Sequence, residues 1–230
     1  MSRLSSPLGA AIKPIVHLDT PRQTDYEGKF IVLSPVNPQV DAEELYRCTH
    51  GSDAKEQIWT YMSYGPFASV HAMQRWLEVR AKSKDPLFFT VHHRESKRRV
   101  GMVSFLNIVS DMGRLELGHI WYSLDAQKSN VNTESAYLML REAFDRLKYR
   151  RVEWKCDSLN ERSRLAALRL GFQFEGIFRQ HMIVKDRNRD TAWYSMLDNE
   201  WADVKKNMEM WLYQNPDQQL SLTTLNSNRS

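Results

Sequence analysis

The sequence predicts a single mixed α/β domain, and three observations carry that expectation. Residues 114–174 read in order as strand, polar loop, amphipathic helix, strand, helix and strand, the order of a crossover unit. Residues 87–92 (LFFTVH) and 100–109 (VGMVSFLNIV) are apolar runs separated by a basic turn, the pattern of an antiparallel hairpin. A chain of 230 residues with 42% hydrophobic content has apolar surface for one substantial core with extensions, not for two full domains.

Residues 1–28 read as an extended arm. They lack a sustained apolar segment followed by a small-residue cleavage site, so a cytoplasmic location is expected. Residues 29–33 (KFIVL) form a short strand closed by Pro35 and Pro38. Asp41 is placed to cap a helix carrying Leu45 and Tyr46, with Glu43 and Glu44 favouring the dipole in its first turn. Residues 58–67 (IWTYMSYGPF), broken by Gly65-Pro66, read as a loop with a helical turn. Its Trp59, Tyr61, Tyr64 and Phe67 either line a substrate pocket or pack over the core. A helix follows over 69–82, with Val70, Met73, Trp76, Leu77 and Arg80 on one face.

The strand over 114–124 leads into the loop 125–132, after which Ala136, Tyr137, Leu140, Ala143, Phe144 and Leu147 recur at helical spacing up to Tyr149. Residues 151–157 alternate Val152, Trp154 and Cys156 against Glu153, Lys155 and Asp157, the period of a strand. Ser158 with Glu161 fits a capping box, and Gly171 stops the helix so opened. Phe172, Phe174 and Phe178 begin another strand, whose hairpin turn is expected at 186–190, with a return over 191–197 carrying Trp193. Residues 198–213 form a last helix, and 214–230 are polar and expected to fray.

Several classes are excluded by composition. The apolar runs fall far short of the roughly 20 residues of a membrane span, so no membrane partner is expected. The formal charge is +4, but 32 basic residues are interleaved with 28 acidic ones. The run Lys97-Arg98-Arg99 reads as a solvated hairpin turn, and no nucleic-acid-binding motif accompanies it. Cys48 and Cys156 lie far apart without metal-binding spacing, which points to a reducing compartment. His92 and His93 face opposite sides of a strand, so no metal site is expected.

With the stretch 160–176 (NERSRLAALRLGFQFEG) and the Thr133-Glu134 pair opening the preceding helix, this organisation resembles the GNAT superfamily of acyl-CoA-dependent N-acetyltransferases. The nearest likeness is to the branch of ribosomal-protein N-terminal and small-amine acetyltransferases. The resemblance covers about 29–201, which divides the chain into an arm over 1–28, a GNAT domain over 29–201 and a helix end with polar tail over 202–230. It implies a GNAT fold: a central mixed, mostly antiparallel sheet of about six to seven strands, splayed at the middle and flanked by about four helices.

The resemblance also implies acetyl-CoA as co-substrate. In the family, the loop before the long helix holds the pyrophosphate through backbone amides, usually with glycines. Here that loop is Gln127, Lys128, Ser129, Asn130, Val131, Asn132 and Thr133, with no glycine. Asn130 tolerates positive φ, and Lys128 and Ser129 offer charge and a hydroxyl; an ordinary capped helix start is the other reading. Ile120, Trp121 and Tyr122 would give backbone contacts to the pantetheine arm and thioester carbonyl. Glu116 would be base or substrate binder, with a structural or solvated role as the other reading; Gly118 is open on the same face and His119 faces the other way.

By the same resemblance Asn160 would contact the pantetheine arm and Ser163 would approach the sulfur, with helix capping as the other reading of the pair. Cys156 reads as a small buried residue, not a nucleophile. Arg179, Gln180 and His181 would border the acceptor pocket, His181 as a pocket residue or an ordinary sheet histidine. The implied activity is acetyl transfer to a primary amine by direct attack in a ternary complex. A small amine or amino-acid-like acceptor is favoured over a protein N-terminus. A non-catalytic acyl-CoA-binding or interaction module is the rival of another class, and a homodimer could form through the arm or the last helix.

Overall fold

In the computed structural model, which describes residues 8–12, 19–215 and 219–227, the alternating segments pair into one eight-stranded sheet. The strands are β1 (Tyr26–Glu27), β2 (Ile31–Pro35), β3 (Leu87–His93), β4 (Arg99–Val109), β5 (Arg114–Tyr122), β6 (Arg151–Asp157), β7 (Gln173–Val184) and β8 (Arg187–Leu197). Their order is β1-β2-β3-β4-β5-β6-β8-β7, with β5 and β6 parallel and the other neighbours antiparallel. The helices are α1 (Pro38–Thr49), α2 (Asp53–Glu56), α3 (Val70–Ala81), α4 (Asn130–Arg141), α5 (Glu161–Arg169), α6 (Asp198–Tyr213) and α7 (Leu222–Ser227). A π-turn, Glu142–Arg146, prolongs α4. The surplus over the expected counts comes from short pieces: β1 has two residues, α2 four and α7 six, too few to show a period.

The two sheet faces carry separate cores. One holds Leu115, Leu117, Val152, Trp154 and Tyr194 against Leu140, Ala167, Leu170, Val204 and Met208 from α4, α5 and α6 and their flanks. The other holds Phe88, Met102 and Trp121 against Leu45 of α1, Met73 and Leu77 of α3, and Trp59. Helices α1 and α3 thus cover β3 to β5, while the same face of β6 to β8 carries Glu153, Lys155 and Trp193 opposite those apolar positions.

Several boundaries differ from expectation. Asn37, not Asp41, is the N-cap of α1, because Pro38 is pre-organised for the first helical turn. Asp41 is buried, accepts from Asn37 N–H at 2.8 Å and binds Arg99 at 2.5 Å. Asn160 caps α5 in place of Ser158. The β7–β8 turn is the two residues Lys185 and Asp186, both at positive φ (50° and 59°), so Arg187 to Asp190 belong to β8, with Arg187 to Arg189 paired to β7. Of the basic run, Lys97 and Arg98 are exposed in the β3–β4 connection, Arg98 beside Asp125, whereas Arg99 is half-buried on β4 and holds Asp41 and Glu44. The tail expected to fray contains α7, where Asn226 is buried and donates to Arg169 O at 2.9 Å.

From Asp19 onward the arm lies against α4 and its π-turn. Arg146 binds Asp19 and the Thr20 carbonyl at 3.2 and 2.8 Å. Glu134 is buried; its carboxylate accepts from the amides of Lys29, Phe30 and Ile31 at 2.7 to 2.8 Å and from Tyr213 Oη at 2.9 Å. Four donors on one carboxylate compensate its removal from water.

Candidate active site

Strands β5 and β6 pair over four residues, from Arg114 with Arg151 to Leu117 with Trp154, and then part. A bulge lies at the parting. Met102 pairs with Trp121 and Ser104 with Gly118, so β5 carries one more residue than β4 across this interval. His119 stands there at φ 51°, left-handed backbone uncommon outside glycine.

The extra residue shifts the alternation, so Leu115, Leu117, Ile120 and Tyr122 pack on the α4 side and Trp121 on the α3 side. His119 also turns to the α3 side, its ring 4.8 Å from that of Phe88 and 5.6 Å from that of Tyr64. It shares a face with Glu116, a correction that strict alternation could not anticipate. Burial, with the nearby Arg80 charge, pushes its imidazole down to about 4, so it is neutral at pH 7.

Glu116 is buried on that face. A second bulge sets Asn107 at φ 49° on β4 across from it, and Asn107 Nδ2 donates to Glu116 Oε2 at 2.6 Å. Lys155 Nζ lies 2.9 Å from the same oxygen and 2.8 Å from Glu153 Oε2, above the Trp193 ring at 3.9 Å from its centroid. Burial is the largest influence on Glu116 and raises its pKa; Lys155 and Asn107 oppose this without cancelling it. For Glu153, burial is outweighed by hydrogen bonds from Lys155 and Arg151, which hold it below the usual range.

The aromatic segment 58–67 does two things. Trp59 is 1% exposed and packs with Phe67, Tyr64 and Trp121 as core. Tyr61 Oη donates to Leu159 O at 3.1 Å, and Lys185 Nζ, at the β7–β8 tip, donates to Trp59 O at 2.8 Å. The segment therefore bridges the splay from the α1–α3 half of the fold to the β6–β8 half. Phe178 pairs with Thr191 and Met182 with Arg189, so β7 has two extra residues there, and Arg179, Gln180 and His181 form the bulge. His181 Nδ1 is 3.0 Å from Thr191 Oγ1.

At the start of α5, Asn160 Oδ1 accepts from Ser163 N–H at 3.1 Å, the capping reading of that pair. Its amide donors remain available. Ser163 Oγ accepts from Trp154 Nε1 at 3.0 Å, and its hydroxyl is within hydrogen-bonding reach of the Cys156 sulfur. Cys156 is buried, and burial pushes its thiol up, away from nucleophilic use.

Before α4, Lys128 takes the left-handed conformation (φ 58°) expected of Asn130, which is instead the first helical residue. Ser129 is the N-cap, accepting from Val131 N–H at 3.2 Å and donating to Ala126 O at 2.6 Å. Gln127 Nε2 donates to Tyr122 O at 3.1 Å, so both side chains hold the loop itself. Thr133 Oγ1 accepts from Arg169 Nη1 at 2.9 Å.

The segment 31–173, which spans the splay and both loops, matches a family model described as an acetyltransferase (GNAT) domain. The chain belongs to the GNAT family. A GCN5-related N-acetyltransferase from Brucella melitensis superposes on this GNAT chain with a TM-score of 0.87 at 37% identity, covering 91% of this chain and 97% of that one. "Putative ribosomal N-acetyltransferase YdaF" of Bacillus subtilis (strain 168) is 30% identical over 105 residues, 46% of this chain and 57% of that protein. "Uncharacterized N-acetyltransferase p20" of Bacillus licheniformis is 26% identical over 167 residues, covering 70% and 90%. Acetyl-CoA-dependent N-acetyl transfer is the reaction class that goes with GNAT membership.

The residues present fit that co-substrate. The first turn of α4 offers amides, the exposed Lys128 and the Arg169 guanidinium. Nearby carboxylates are occupied, Asp125 by Arg98 and Ser123, Glu134 by backbone amides. Asn132 Oδ1, in the same turn, is buried without a hydrogen-bond partner, an acceptor that a ligand N–H or hydroxyl can satisfy. Among the described residues no group of three or more His, Cys, Asp or Glu is arranged to hold a metal, and no helix is long and apolar enough to cross a membrane.

Sequence reasoning missed Lys155, Asn107, Lys185 and Arg169. Lys155 was recoverable, since β6 alternation places it on the Glu116 face. Asn107 and Lys185 were not, because a bulge and a hairpin tip position them.

Proposed function

We propose that this GNAT chain acetylates the primary amine of a small or amino-acid-like acceptor by direct attack on acetyl-CoA in a ternary complex. The observation that carries the small acceptor is the bridged splay, where Lys185 to Trp59 O and Tyr61 to Leu159 O close the aromatic segment over the face bearing Glu116. Acetyl-CoA supplies an activated acyl group on a thiol leaving group. The chain supplies orientation, a proton acceptor and a proton donor.

Glu116 receives the acceptor's ammonium and takes its proton, directly or through water, with Lys155 and Asn107 fixing the carboxylate. Ile120, Trp121 and Tyr122 offer main-chain groups to the pantetheine arm and thioester carbonyl, in the stretch of β5 that β6 leaves unpaired. Preorganised donors of that kind lower a barrier by roughly 3–4 kcal/mol. Asn160 donates its side-chain amide to the arm, and the Ser163 hydroxyl donates to the leaving sulfur. Gln127 to Thr133 form the phosphate-binding turn.

The tests are an acceptor panel with acetyl-CoA and thiol detection, and titration calorimetry with acetyl-CoA and CoA. Turnover of small amines supports the reading; binding without turnover of any amine leaves an acyl-CoA-binding module. Turnover confined to peptide amino termini supports a second reading, favoured by the name of the Bacillus subtilis relative and by exposed Phe178 and Met182 beside the site.

A further inference from the structure

Among the described residues, Arg169 is a half-buried guanidinium with no carboxylate partner. Arg99, Arg146 and Arg151, also partly buried, each hold two acidic side chains. Among the described residues the Arg169 guanidinium meets the Thr133 hydroxyl at 2.9 Å and the Trp211 ring at 5.8 Å, and it makes no ion pair. Burial accordingly lowers its pKa, with the Tyr122 phenol the one group opposing this. An uncompensated buried cation is unfavourable for folding, so its retention asks for an anion supplied from outside.

Its position says which anion. Helix α5 starts at Asn160, beside the opened end of β6, and its nine residues carry the chain roughly 13 Å to Arg169. There the side chain reaches the first turn of α4, after a loop whose Gln127 and Ser129 side chains are used internally. A planar fork of donors matches phosphate oxygens bidentately and needs no close backbone approach.

We propose that Arg169 binds a phosphate group of the co-substrate at the start of α4, taking over contacts that glycines in the preceding loop would otherwise make. This rests on the acetyl-CoA reading above. Thr133 orients the guanidinium, so charge replaces backbone proximity.

The test is titration calorimetry of CoA and dephospho-CoA against the wild type, Arg169→Gln and Thr133→Val, with thermal unfolding of each ligand-free protein. Arg169→Gln should weaken CoA binding about tenfold or more while its ligand-free Tm stays level or rises, since an unpaired cation is removed. Thr133→Val, which keeps the charge, should lose less. A loss with CoA alone assigns the 3′-phosphate, and an equal loss with dephospho-CoA assigns the pyrophosphate. An unchanged Kd for both ligands overturns the proposal. So does a Gln variant that loses its fold or several degrees of Tm while Thr133→Val binds CoA as the wild type does, because the arginine is then structural. A wild type that binds neither ligand overturns the acetyl-CoA reading itself, a separate outcome.

Discussion

Lys155 Nζ sits 2.9 Å from Glu116 Oε2 and 2.8 Å from Glu153 Oε2, so the carboxylate assigned to proton transfer shares a buried cation with its neighbour on β6. The two glutamates are cross-strand partners. Without the lysine they would face each other as like charges.

Replacing Lys155 with Met should therefore destabilise the protein by about 3–5 kcal/mol. Adding Glu116→Gln should restore part of that, because the carboxylate left without a cation is gone while Glu153 keeps Arg151. Urea unfolding of the two single variants and the double variant measures the coupling, and strict additivity would show that Lys155 stabilises by packing alone.

Glu116→Gln alone should reduce kcat/KM about 100-fold while leaving the CoA Kd near wild type. Burial raises the Glu116 pKa, so the acid limb of the wild-type pH–rate profile should lie above the ordinary glutamate range and flatten in the variant. A wild-type profile in the variant removes Glu116 from proton transfer.

Asn160→Asp separates two roles. Aspartate preserves the acceptor for Ser163 N–H and suits a helix N-terminus, so Tm should hold. It removes the amide donors, and CoA binding should weaken roughly five- to tenfold. An unchanged Kd assigns Asn160 to capping only.

His119 gives stability a pH dependence. Its folded value of about 4 lies below the ordinary 6.5. The stabilisation from keeping it neutral is present above about pH 6.5 and lost as pH falls towards 4, by roughly 2–3 kcal/mol. His50 and His92 shift in the same direction, so the informative quantity is the difference between the wild type and His119→Gln across pH 7 to 4.5. Parallel curves would show that His119 does not titrate with folding.

The crossover unit was legible because its cues agree: apolar residues at helical spacing in α4, alternation in β6 and a glycine stop at Gly171, which takes φ 97°. What escaped was geometry set by one extra residue. Period-two reasoning places His119 opposite Glu116 and gives Asn107 no role, whereas bulges at both positions bring them to one side. Asn160 shows the other limit: its residue type suits both a cap and a ligand contact, and the hydrogen bond to Ser163 settles only the first.

Gly28→Ala reports on the arm. A Cβ there would lie 2.4 Å from Glu134 Cδ, forcing the carboxylate off the amides of Lys29, Phe30 and Ile31. Destabilisation of about 2–3 kcal/mol is expected in urea unfolding. A neutral result would show that the arm shifts without loss.

The bulge at Arg179 to His181 has a further consequence. Strand β7 closes the sheet on one side, is 12 residues long and exposes Phe174, Ile177, Phe178, Met182 and Ile183. A straight strand of that composition is a template for aggregation. The two additional residues interrupt its outward row of amides and carbonyls midway, so an incoming strand could align with either half but not both. The bulge thereby limits edge-to-edge pairing along β7.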